Sequence, residues 1–232
     1  EPTPKQDEFI QDVFNPDNVF IAYGGAAGGG KTIGSLATII LLCKLYPNSR
    51  WAVIRKSLTE IRLNTIPSFW KVCPKNFLQS FNKTEYHAVF KNGSEILFRG
   101  ENIDADTDLQ WMDGLEVNGF LLEQAEELDR KTYDKCKLRA GRWVINPMPP
   151  IKILLTLNPS MSWTKKEIYE PYIKGELKSP YKYIPAKISD NKHLPDQYIA
   201  NLKYLDPITY KRFVEGDWSA FAVNKPYAYC FK

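Results

Sequence analysis

Apolar and polar residues follow two rhythms along this chain, and together they predict its elements. Nearly unbroken apolar runs recur at residues 18–24 (NVFIAYG), 51–56 (WAVIRK), 117–124 (VNGFLLEQ) and 151–159 (IKILLTLNP). Each is too short for a helix and apolar on both faces, the pattern of strands in a sheet covered on two sides. Longer helical segments separate them at residues 32–46, 57–73 and 129–141. The second opens with Ser57-x-x-Glu60, the spacing of a capping box, and is expected to bend or stop near Pro67. Residues 85–100 place Asn92-Gly93 between two β-rich runs, which predicts a tight hairpin. Residues 178–195, rich in Pro, Lys and Tyr, predict one strand among longer loops, with short helices following at 196–204 and 207–216. Strands filled on both faces and separated by helices predict an α/β fold with a parallel sheet.

Between the first strand and the first long helix, five of the 13 glycines fall in the seven positions 24–30, and the run ends in Gly30-Lys31-Thr32. The spacing fits G-x-x-x-x-G-K-[ST], with Gly25 and Gly30 as its fixed glycines. A backbone this bare lets the N–H groups of Gly25, Ala26, Ala27, Gly28, Gly29 and Gly30 crowd around an anion. A helix starting at Lys31 adds the positive pole of its dipole. The expected guest is a phosphate chain, with Lys31 reaching the β- and γ-phosphates and the Thr32 hydroxyl on Mg²⁺.

Composition narrows the field without naming a function. The net charge is only +4 over 232 residues, so any DNA contact must come from local patches. The four cysteines (Cys43, Cys73, Cys136, Cys230) form no C-x-x-C pair, and with two histidines they predict neither a zinc site nor a disulfide framework. The longest apolar run, around Ile39 to Leu42, is far too short to span a bilayer, and the N-terminus has no cationic-then-apolar signal. The expectation is one large, soluble, cytoplasmic α/β domain without membrane contact.

Hydrolysis needs a carboxylate on the metal side and a group that activates water. The apolar strand that ends at Glu123 supplies the first, as a second ligand-side partner for Mg²⁺ beside Thr32. Gln124 follows it, and a glutamine can orient water but cannot take its proton. Three explanations stand side by side: an engineered block, a naturally slow enzyme, or a base supplied by Glu126 or Glu127.

Seven stretches, in order, resemble the ATPase domain of the large terminase subunit of tailed bacteriophages, the motor that packages viral DNA into procapsids. They are TPKQDEFI, YGGAAGGGKT, AVIRKSLTEIRLNTIPSFW, ILFRGENIDADTDLQWMDGLEVNGFLLEQAEEL, KLRAGRW, LLTLNPSMSWTKKEI and YKRFVEGDW, and they reach Trp218. The resemblance implies a P-loop NTPase fold of the ASCE type, a mostly parallel central sheet flanked by helices with an inserted β-hairpin. Glu123 matches the metal-side acid, and Gln124 stands where the family's catalytic glutamate is usual. Gln6 looks like the adenine-reading glutamine, and Asn158, in Thr156-Leu157-Asn158-Pro159, belongs to the coupling motif. Arg139 and Arg142 resemble candidates for an arginine finger that reaches a neighbouring subunit, while Arg55 either touches phosphate or caps packing.

The family likeness further implies ATP and Mg²⁺ as cofactors, double-stranded DNA as the translocated partner, and a homo-oligomeric ring, a pentamer. It also implies a terminase small subunit and a portal protein as partners, in the host cytoplasm. Residues 1–218 are expected to form the ATPase domain. Residues 219–232 are expected to be a linker towards a nuclease domain that this chain is too short to hold, so DNA cleavage is expected to be absent. Two other functions fit a phosphate loop: a kinase that moves the γ-phosphate to a small molecule, and a non-catalytic nucleotide-dependent scaffold, which Gln124 alone favours.

Overall fold

Helix α1 (Pro4–Phe14) begins the chain, a segment to which the sequence reading assigns no element although Phe9 and Val13 stand one turn apart on its buried face. Its start is nevertheless encoded. Thr3 accepts from the Gln6 N–H while the Gln6 side chain accepts from the Thr3 N–H, and Pro4 occupies the first turn, where its missing N–H costs nothing. The computed structural model describes residues 1–221, so Cys230 and most of the expected linker lie outside the described residues.

Strand β1 (Phe20–Gly25) leads through the glycine-rich loop into α2 (Lys31–Leu45), and β2 (Arg50–Arg55) follows. The segment after β2 is helical over 58–72, but not uniformly. α3 (Leu58–Glu60) and α4 (Ile66–Val72) flank a π-helical turn, Ile61–Thr65, in which the Ile66 N–H reaches back five residues to the Ile61 carbonyl. The widening falls one residue before Pro67, whose ring would crowd the carbonyl four residues earlier in a regular helix. The proline therefore bends the helix without ending it. The same device recurs at the π turn Lys165–Tyr169, ahead of Pro171 in α6 (Glu170–Ile173).

The hairpin expected at Asn92-Gly93 is β4 (His87–Phe90) with β5 (Glu95–Gly100), and a further edge strand, β3 (Leu78–Asn82), pairs with β4. β6 (Gly119–Leu122), α5 (Arg130–Arg139), β7 (Lys152–Leu157) and β8 (Tyr181–Ala186) complete the main elements. Two short helices follow, α7 (Asp196–Leu202) and α8 (Pro207–Phe213). The sheet order is β3-β4-β5-β2-β6-β7-β1-β8. β5 through β8 in that order run parallel, and β3 and β4 extend one edge as an antiparallel ladder.

Alternate strand residues feed two cores. Ile21, Tyr23, Trp51, Val53 and Leu121 pack with Phe9, Leu36, Ile39 and Phe69 on one face; Ala22, Ile54, Phe120, Leu122 and Leu155 pack with Tyr133, Cys136 and Trp218 on the other. Each fully buried large aliphatic or aromatic side chain contributes about 1.5–3 kcal/mol. Burial on both faces pins the register, because a slip of one residue would exchange the two sets. All the parallel strands then end at one edge of the sheet, where the loops after β1, β6 and β7 meet.

Candidate functional site

The glycine-rich turn is built by residues that a side chain could not replace. Gly25 has φ +123, and a Cβ there would stand 2.3 Å from the Ala186 carbonyl oxygen. Gly30, at φ +77, caps α2, and a Cβ there would meet the Gln6 amide nitrogen at 2.8 Å. The turn divides into two halves. The N–H groups of Ala26 and Ala27 donate to the carbonyls of Ala186 (2.8 Å) and Phe213 (2.7 Å), so these two residues anchor the turn to β8 and α8. From Gly28 to Thr32 the backbone N–H groups have no acceptor among the described residues. They form the start of α2, where four N–H groups lack helical partners and the dipole is positive. The donor set fits a phosphate chain.

Lys31 is 7% exposed, and its ammonium donates to the carbonyls of Gly25 (3.3 Å) and Ala26 (2.5 Å). Burial lowers its pKa to about 8, against the opposing influence of Glu126. A cavity of about 380 Å³ is lined by the turn from Ala27 to Thr32, by Gln124, by Thr156 and Asn158 at the end of β7, and by Asn191 and Leu194. Residues from three separate strand ends therefore share one space. Asn191 also donates to the Gly28 carbonyl (2.6 Å), tying the segment after β8 to the turn.

β7 lies between β1 and β6, so Glu123, one residue past β6, stands beside Thr156, but unlike Gln124 it does not line the cavity. It is 2% exposed. The Thr65 hydroxyl, from the π turn, donates to one of its carboxylate oxygens, and the Arg55 guanidinium lies 3.7 Å from the other. Arg55 is itself buried and also lies 3.7 Å from Glu60 and 3.8 Å from Glu127. The structure thus puts Arg55 among carboxylates at the end of β2, two strands beyond β7.

Gln124 adopts the left-handed conformation (φ 52, ψ 56), its N–H donates to the Thr156 hydroxyl (2.9 Å), and its side-chain amide is 3.4 Å from Glu127. The reversal at Gln124 starts a 3₁₀ turn, Ala125–Glu127, that brings Glu126 to Asn158, whose amide donates to it at 2.7 Å. Burial pushes the Glu126 carboxyl up to about 7, partly opposed by the Asn158 hydrogen bond.

Gln6 meets the turn from its other side. Its amide donates to the Gly30 carbonyl (2.9 Å), and it lines an apolar groove of about 370 Å³ with Ile10, Ile33, Gly34 and Ala37. Arg139 and Arg142 lie elsewhere. Ala140 bridges to Val117, just before β6, which places the end of α5 at the edge of the sheet opposite the turn. Arg139 lies 3.4 Å from Asp113; Arg142 is in no ion pair among the described residues. Sequence reasoning misses Thr65 and Asn191, since neither sits in a motif; each enters the site through a contact between distant segments.

The phage terminase large subunit family model matches residues 17–217. Among solved structures, the chain is similar to the large terminase of a thermophilic bacteriophage in complex with ATP-gamma-S. The TM-score is 0.73 at 14% identity, over 93% of this chain and 52% of that one. The same thermophilic phage enzyme in complex with ADP gives 0.74 at 15% identity, over 94% and 54%. The ATPase domain of the Thermus phage P74-26 large terminase gives 0.62 at 10% identity, over 94% of each chain. The chain spans about half the length of the two nucleotide-bound enzymes, and at these identities the likeness is one of fold. No curated protein matches. Among the described residues, no helix is long and apolar enough to cross a membrane.

Proposed function

The chain belongs to the phage terminase large subunit family, and on that premise we propose that it is the ATP-hydrolysing motor domain that drives double-stranded DNA into a procapsid. One observation carries the reading: the unpaired N–H groups of Gly28 to Thr32, the buried Lys31, and Gln124, Thr156 and Asn158 converge on one cavity. The N–H groups and Lys31 bind the phosphates, and Lys31 must exchange its two carbonyl partners for phosphate oxygens. Gln6 positions the base beside the apolar groove that it lines. Mg²⁺, when bound, neutralises charge on the β- and γ-phosphates. Thr32 and Glu123 are the side chains proposed to hold it, with Thr65 and Arg55 fixing the Glu123 carboxylate from behind.

Asn158 and Thr156 sit where they feel the γ-phosphate, and the Thr156 hydroxyl transmits to Gln124 through its hydrogen bond. We further propose that Arg139 and Arg142, which lie away from this subunit's own loop, serve a neighbour's site in a ring of copies, with the small subunit and portal as partners in the host cytoplasm. We place the end of the domain near Trp218, which is 1% exposed in the core and stacks on Tyr169.

The test is nucleotide binding and DNA-stimulated phosphate release with Mg²⁺, on the wild type and on Lys31→Ala. Wild type is expected to bind ATP and to release phosphate with no phosphorylated acceptor, and Lys31→Ala to lose binding. Equal ATP affinity of the two proteins, or transfer of phosphate to a small molecule, would refute the assignment.

A further inference from the structure

Resting on the hydrolytic reading above, we propose that Glu126 is the proton acceptor for the water that attacks the γ-phosphorus, in the part for which Gln124 has no chemistry. The left-handed turn at Gln124 sends the next two carboxylates to different places. Glu127 is partly exposed and faces Arg55 at 3.8 Å. Glu126 instead meets Asn158 at 2.7 Å, and its charge acts on Lys31; both of these partners line the phosphate cavity, with Glu126 behind them.

Its second oxygen, Oε2, is shielded from solvent and has no hydrogen-bond partner among the described residues. A buried carboxylate with one oxygen unsatisfied is costly to keep, so it marks a position held for something other than stability. Burial also makes it a stronger base than an exposed carboxylate, since its pKa of about 7 lies near the working pH. Gln124 can still orient the water, because its amide is both donor and acceptor.

Asn158 orients the base. One of its two amide N–H groups donates to one carboxylate oxygen of Glu126, which leaves the other N–H for phosphate and leaves Oε2 to take the proton. Glu126 then removes a proton from water while the water oxygen bonds to the γ-phosphorus. The bond from phosphorus to the bridging oxygen breaks, and its electron pair leaves with ADP. The proton passes on to the released phosphate or to solvent.

The experiment uses the full chain with Mg-ATP and double-stranded DNA, with affinity for a fluorescent ATP analogue measured separately. Glu126→Gln keeps the size and the hydrogen bond from Asn158 but not the basicity. It is expected to lower kcat by roughly 10²-fold or more while the nucleotide Kd stays within about twofold. Glu126→Asp is expected to retain part of the activity. The charged neighbours of Glu126 are Lys31 from α2 and Glu127 from its own turn. The single-turnover rate of wild type and of Glu127→Gln is therefore expected to rise with pH through about 7. Glu126→Gln loses that limb. A Glu126→Gln protein that binds ATP and keeps kcat within about threefold overturns the assignment. So does a wild type that binds ATP and releases no phosphate. A wild type that binds no nucleotide overturns both this assignment and the function on which it rests.

Discussion

Arg55→Met removes the buried cation beside Glu123 without opening a large cavity. The guanidinium lies 3.7 Å from Glu60, 3.7 Å from Glu123 and 3.8 Å from Glu127. These three neighbours are not equal. The side chains of Glu60 and Glu127 are 32% and 39% exposed, so water replaces the arginine at little cost, below about 1 kcal/mol each. Glu123 is 2% exposed and cannot be rehydrated. Breaking a buried pair by deleting one partner costs about 3–5 kcal/mol, mostly because the other charge is stranded. The Thr65 hydroxyl still donates to Glu123, which puts the expectation at the lower end, about 3 kcal/mol.

For a domain of this size each kcal/mol moves Tm by about 2–4 °C, so a fall of about 6–12 °C is expected. The assay is thermal unfolding, without nucleotide, of wild type, Arg55→Met, Glu123→Gln and the double variant. With the carboxylate of Glu123 exchanged for a neutral amide no charge is stranded, so the double variant is expected to recover about 2 kcal/mol relative to the sum of the singles. Strict additivity would refute the claim that Arg55 exists to hold Glu123.

Glu126 offers a test by pH. Its carboxyl is pushed up to about 7 by burial, so the folded state holds the proton more tightly than the unfolded chain. The associated stability is fully present below the unfolded value near 4.5 and is lost as pH rises through about 7, a change of order 3 kcal/mol. Chemical unfolding of nucleotide-free protein should therefore show Glu126→Gln gaining on wild type between about pH 5 and pH 8, roughly in that range; parallel pH profiles would contradict the burial argument. Gly30→Ala places a Cβ 2.8 Å from the Gln6 amide at φ +77. A cost of about 1–2 kcal/mol in stability, with loss of ATP binding, is expected, and calorimetric titration showing normal affinity would contradict the role of the turn.

Much of the fold is legible in the sequence because it is written in local chemistry. The strand–loop–helix of residues 18–46, the Ser57–Glu60 capping box and the Asn92-Gly93 hairpin each depend on residues within a few positions of one another, and all three form. Helix α1 carries an equally local signal in Thr3, Pro4 and Gln6, and Phe9 and Val13 fall on its buried face, yet the sequence reading assigns it no element. The edge strand β3, largely exposed, has no periodicity to reveal it. The bend near Pro67 is legible but its form is not, because a proline can either end a helix or be absorbed by a π turn, as it is where the Ile66 N–H reaches back to Ile61.

Chain order and nearest-neighbour chemistry alone thus specify a phosphate-binding turn, a sheet buried on both faces and an acid at the end of another buried strand. They cannot say which carboxylate meets which partner. Thr65 reaches Glu123 across 58 positions, Asn158 reaches Glu126 across 32, and Asn191 reaches Gly28 across 163. Such pairings exist only once the sheet has set β7 between β1 and β6, because hydrogen bonds act over about 3 Å and the packing of distant segments decides which groups come that close.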